Sequence, residues 1–224
     1  MKINRIITFA FVGAMMLLVG CEPDKITVEV PVSAIQKVKQ GEVVYLKAHA
    51  NGVSEFAPDD ILNKKTQVEQ IIGKNLGKGG RLNIKKNSDH GLSFSARWRI
   101  PFFQEENFPA DGNSYPLALV MSKDGSRLVL ISNRENINAM NKELKSVDFM
   151  MDGISELGMT EIAFDNDTDK EFQYTVYGAF INGKPKISWT EKLDVGDEST
   201  VSFGRKSSDS IWHDTAPLVQ LPAN

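Results

Sequence analysis

The sequence predicts an α+β fold: an antiparallel sheet with two helices, followed by a small β-sandwich-like unit. Three observations predict it. Along Leu92–Ile100, the residues Leu92, Phe94, Ala96, Trp98 and Ile100 alternate with Ser93, Ser95, Arg97 and Arg99, the pattern of a sheet buried on one face. Two segments instead place apolar residues at helical spacing: Ile61, Val68, Ile71, Ile72 and Leu76, then Ile137, Met140, Leu144 and Val147. Beyond Asp148–Gly158, where the pattern lapses, only strand signals follow.

The elements follow in order. A first strand opens at Ile26, because Ile26, Val28, Val30 and Val32 alternate with Thr27, Glu29 and Pro31. Gly41 precedes a second strand near Glu42–Ala50. Pro58-Asp59-Asp60 opens the first helix, since proline and acidic residues both suit a helix N-terminus. Gly77 and Gly79-Gly80 end it. Strands follow at Arg81–Lys86 and Leu92–Ile100, and Pro101–Ser114 reads as a loop. Pro116–Met121 and Arg127–Ile131 form a hairpin around Lys123-Asp124-Gly125. Ser132 with Glu135 three residues on is a capping-box signal for the second helix.

After the lapse, strands are expected at Thr160–Phe164, Glu171–Ile181, Lys184–Thr190 and Ser199–Phe203. Asn182-Gly183 is the best hairpin turn in the chain, because both residue types tolerate positive φ. The last twenty residues read as loop or one edge strand. The organisation expected is therefore a signal segment at 1–20, a tether at 21–25, an α+β domain at 26–147 and a β-sandwich-like domain at 148–224.

The start of the chain carries the one specific motif. Lys2 and Arg5 precede Ile6–Val19, an uncharged and almost wholly apolar run. It is too short to span a bilayer comfortably and suits the h-region of a secretory signal. Cys21 is the only cysteine in the chain. Leu18-Val19-Gly20-Cys21 resembles the lipobox of bacterial lipoproteins. The resemblance implies acylation of the Cys21 thiol and cleavage before it. A thiol is a good nucleophile for such a transfer, and acylation removes a free thiol from an oxidising compartment. Stable anchoring needs more than one acyl chain. Glu22 stands where aspartate would commonly signal inner-membrane retention, so the resemblance implies the outer membrane, with the protein on the periplasmic side. Four residues of tether reach roughly 14 Å, which holds the body close to its membrane. The rest of the chain carries no motif of a characterised family. It resembles the uncharacterised lipoproteins of proteobacteria.

Composition narrows the function classes. The chain has 26 basic and 29 acidic residues. Losing Lys2 and Arg5 with the signal leaves a mature net charge of about −5, so nucleic acid is not an expected partner. No catalytic residue, cofactor site or metal site is expected. Asp165-Asn166-Asp167-Thr168-Asp169 begins like an EF-hand calcium loop, but Lys170 and Val176 stand where that loop needs Gly and Glu, which leaves a non-EF calcium turn between strands or an acidic β-turn. Gly73–Gly80 lacks phosphate-loop spacing. His49, His90 and His213 are far apart.

Phe102, Phe103 and Phe108, with Trp212 in the tail, are the candidate partner contacts, since aromatics are enriched in interface cores. The same phenylalanines would equally serve to cap the core. The expected function is a non-enzymatic binding or assembly role for a membrane-anchored envelope lipoprotein, with an envelope protein as partner. The rival classes are a lipid or small-ligand carrier, and an envelope hydrolase using His213 or His90.

Overall fold

A computed structural model describes residues 25–54, 62–86, 91–147, 159–204 and 219–222. Eleven strands form one sheet: β1 (Lys25–Pro31), β2 (Val44–Ser54), β3 (Arg81–Lys86), β4 (Leu92–Gln104), β5 (Leu117–Met121), β6 (Arg127–Ser132), β7 (Met159–Asp165), β8 (Phe172–Ile181), β9 (Lys184–Leu193), β10 (Glu198–Phe203) and β11 (Val219–Gln220). Among the described residues, three α-helices of eight or more residues accompany them: α1 (Val32–Lys39), α2 (Lys65–Asn75) and α3 (Arg134–Val147). Among the described residues 51% are strand and 24% helix, so the fold is mostly β.

The expected α+β sheet and separate sandwich are overturned by how the strands pair. A ring of nine strands closes as a barrel in the order β10-β7-β1-β2-β4-β5-β6-β11-β8. β7 lies parallel to β1 from Lys25↔Met159 to Pro31↔Asp165, and antiparallel to β10 on its other edge. Strands from both sides of the expected boundary at residue 148 thus share one core. Ile26, Val28 and Val30 of β1 pack in it with Ile162 and Phe164 of β7 and Val201 and Phe203 of β10. The ring ends meet on β8. Its Thr175 and Val176 pair with β11, and its Phe180 and Ile181 pair with β10 along the same edge, while β9 holds the opposite edge.

Side chains fill the barrel interior. Leu46, Ala48 and Ala50 of β2, Trp98, Ile100 and Phe102 of β4, and Leu119 and Met121 of β5 join the strands named above in one cluster. α1 packs Ala34, Ile35 and Val38 into the same cluster. The sequence reading placed no helix here. Pro31 at its N-cap position offers no side-chain acceptor. Asp167, from the β7–β8 connection, supplies one: its carboxylate accepts from Ser33 N at 2.8 Å and Ser33 Oγ at 2.5 Å.

Outside the ring, β3 pairs with the first half of β4. One face of this extension is covered by α2 and α3. Val68, Met140 and Leu144 pack there on Ile84 and Leu92. α3 is capped by Asn133, whose Oδ1 accepts from Asn136 N at 3.1 Å, one residue past the expected Ser132.

β4 runs through Pro101 rather than ending at Ile100. Its second edge changes partner there, from β3 at Leu92–Arg97 to β5 at Phe102–Gln104. Pro101 falls in the interval between those two ladders, where a missing N–H interrupts neither.

Candidate functional site

Two surfaces stand out, and both follow from strand register. The first is the outward face of β1, β2, β4 and β3. Because side chains alternate, Trp98 and Ile100 point into the core while Arg97 and Arg99 point outward. Register then sets Arg81 of β3 and His49 of β2 on either side of Arg97, and Lys47 directly opposite Arg99. Directly opposed residues lie only about 5 Å apart across an antiparallel pair, and like charges so placed destabilise the sheet. Glu29 partly compensates one row, at 3.6 Å from Lys47 and 3.8 Å from His49 Nδ1. Among the described residues Arg81, Arg97 and Arg99 form no ion pair. All three are exposed.

Along β4 this face changes character. Toward the start of the strand it becomes a shallow open depression of about 290 Å³ where Asn51, Asn83, Lys85, Ser93 and Ser95 stand with the apolar Val53 and Phe94. Lys25, the first residue of β1, pairs with Asn51 at this end. Toward the end of β4 the face is aromatic. Tyr45 donates to Asp111 Oδ1 at 2.7 Å, and this bond to a carboxylate, with burial second, pushes the Tyr45 phenol up to about 12. Tyr115 stands beside it, ring centroids 5.7 Å apart.

The second surface is the β8–β9 hairpin. Asn182 and Gly183 both have positive φ, 48° and 76°, as the tight turn requires. A kink lies midway: Gly178 has φ 60°, and between Tyr177↔Ser188 and Ala179↔Lys186 the ladder skips Gly178 and Ile187. From the turn to Thr190, β9 is exposed on both faces apart from a half-buried Lys186, and only Leu193 of the strand is buried. Ile187 is 92% exposed. Trp189, Tyr177 and Phe180 are exposed too. The Lys186 ammonium sits 3.5 Å from the Trp189 ring centroid, and Trp189 Nε1 donates to Glu191 at 2.6 Å. Among the described residues, no strand pairs with the outer edge of β9.

Comparison with known families adds the extent of the family domain. A profile described as a domain of unknown function, DUF7424, matches residues 25–216. The chain belongs to the DUF7424 family. No curated protein and no solved structure matches the chain. The DUF7424 match begins at Lys25, the first residue of β1, and runs across both halves of the sequence as a single unit.

Within the DUF7424 domain, the aromatic residues expected to meet a partner separate. Phe102 and Phe103 are buried, so they are core and not contact surface. Phe102 points into the barrel. Phe103 packs outside it with Ala118 and Val120. Only Phe108 is exposed, at 54%, and it rests edge-on against Phe103 with centroids 5.4 Å apart. Strand alternation accounts for this: once β4 continues through Pro101, two consecutive phenylalanines must face opposite sides. Trp212, His90, His213 and Cys21 lie outside the described residues.

The Asp165–Asp169 segment is held by its own hydrogen bonds. Asn166 is fully buried, and its Nδ2 donates to the carbonyls of Lys170, Leu193 and Asp194 at 2.9, 2.9 and 3.0 Å. With Asp167 committed to α1, the turn ties β7, β9 and the helix together. Among the described residues, no group of three metal-binding side chains converges. The exposed β9 surface escaped sequence reasoning because Lys184–Leu193 alternates like an ordinary half-buried strand. Its one local warning was Lys184-Pro185-Lys186, the kind of sequence that blunts a free sheet edge.

Proposed function

We propose that this DUF7424 protein is a lipid-anchored protein of the bacterial outer membrane with a non-enzymatic binding or assembly role close to the bilayer. The reading rests first on the β8–β9 hairpin. A strand whose outer edge is unpaired among the described residues, exposed on both faces and carrying Ile187 and Trp189, is poorly explained by the stability of the barrel alone. Burying apolar side chains elsewhere would stabilise the fold, whereas these are left in water. A free edge can take up an extended segment from another protein, with main-chain hydrogen bonds giving affinity and side-chain contacts giving selectivity. Lys184 and Lys186 favour an acidic segment, with an apolar residue to meet Ile187. The lipobox resemblance and the short tether support the location.

The test is photocrosslinking in living cells from a reactive residue placed at Ile187, and separately at Phe108. Discrete adducts from Ile187 that disappear when Trp189 is changed to Ala are expected. Adducts from Phe108 alone, or none from either position, contradict the role given to the hairpin.

A further inference from the structure

We propose that the outward basic face of β1, β2, β4 and β3 lies flat on anionic phospholipid headgroups of the membrane that holds the Cys21 anchor. The inference rests on the lipid-anchor reading above and adds an orientation and a ligand class to it.

Three observations converge. The face concentrates positive charge on a protein whose mature chain is net acidic. Arg81, Arg97, Arg99, Lys47 and Lys85 share it, with Glu29 set among their rows and Glu161 of β7 at the end of the Arg81–Arg97–His49 row, 3.1 Å from Lys25. Their opposition is the second observation. Arg81 faces Arg97 and Arg99 faces Lys47 across adjacent strands, an arrangement that costs stability in isolation and is relieved by an external anion. Third is where the tether enters. Lys25 pairs with Asn51, so the chain leading from Cys21 joins the sheet beside the depression at the end of this face. Four residues span roughly 14 Å, so the face cannot be carried far from the headgroups. Basic side chains at such a surface each contribute about 1 kcal/mol of attraction, about a fivefold gain in the docked population. Asn51, Asn83, Ser93 and Ser95 add neutral hydrogen-bonding groups that suit phosphate oxygens.

The sequence itself supplies the test. With Cys21 acylated, a cysteine introduced by Asn83→Cys is the only free thiol in the chain. The full lipoprotein carrying N83C is extracted from cells, spin-labelled and placed in vesicles of phosphatidylcholine alone, or of phosphatidylcholine with phosphatidylglycerol. Collisional relaxation by a water-soluble chromium complex reports whether the label is open to solvent. Relaxation by a nickel-chelating lipid reports whether it touches headgroups.

Headgroup contact is expected only in the anionic vesicles, and it should be lost at high salt. Arg97→Ala and Arg99→Ala should each lower the ratio of docked to undocked label about fivefold. A label open to water in both vesicle types overturns the proposal, including the case where it is shielded only in native envelopes, because a protein or polysaccharide would then be the occupant. Contact that ignores lipid charge overturns it as well. Label stoichiometry separates the two readings. One label per chain means that Cys21 is blocked, so a failure of docking belongs to this inference alone. Two labels mean that Cys21 is free, and the anchor reading itself fails.

Discussion

Several single side chains carry consequences that can be measured. Asp167 caps a helix 134 residues earlier in the chain, through Ser33. Asp167→Ala is expected to lower stability by about 1 kcal/mol in urea unfolding, the usual cost of a lost N-cap. Ile187→Asp, at a position 92% exposed, should leave stability unchanged within about 0.5 kcal/mol while weakening the partner contact proposed for the hairpin. Two tyrosines set an alkaline limit. Hydrogen bonding to Asp111 raises the Tyr45 phenol, and burial raises that of Tyr174, each to about 12. In the unfolded chain both ionise near 10, so the folded state binds more protons between these values. Stability is therefore full below about pH 10 and falls as pH rises toward 12. Asp111→Asn should remove part of that fall, read by unfolding at a series of alkaline pH values. Arg97 and Arg99 were visible in the sequence as the polar side of a strand. Their meeting with Arg81 and Lys47 was not, because only register brings those residues together.

At the scale of elements, the sequence was most legible where structure is local. The turn at Asn182-Gly183, the hairpin of β5 and β6, and the limits of β3 follow from alternation and turn chemistry. Gly183→Ala tests one of them: φ of 76° disfavours any Cβ although nothing lies within 4 Å of it, so a loss of about 1 kcal/mol is expected from backbone strain alone. The β5–β6 turn depends on Asp124, which accepts from Ser122 Oγ at 2.5 Å and Ser126 Oγ at 2.7 Å and is held down at about 2. What escaped local reading depends on distant partners. Val32, Ile35 and Val38 do repeat at helical spacing in α1, but its cap comes from Asp167. Pro101 looks like a strand terminator, yet it falls where β4 exchanges one neighbour for another. Phe102 and Phe103 changed from loop to core by that one extension.

For the whole molecule, closure of the barrel is the property that no local pattern announced. Parallel pairing of β1 with β7 joins residues more than a hundred positions apart, and the intervening sequence gives no sign of it. A single cooperative transition is expected in calorimetry, since a chain ending at Val147 would leave β1 without its β7 neighbour and the core without Phe164, Val201 and Phe203. Two separable transitions would contradict the shared core. The anchoring proposed at Cys21 underlies both the contact proposed for the hairpin and the docking proposed for the basic face. Its most direct test is the intact mass of the protein extracted from membranes. The expected mass is that of a chain beginning at Cys21 and carrying two or three acyl chains. A chain beginning elsewhere, or an unmodified thiol at Cys21, would contradict the anchored role.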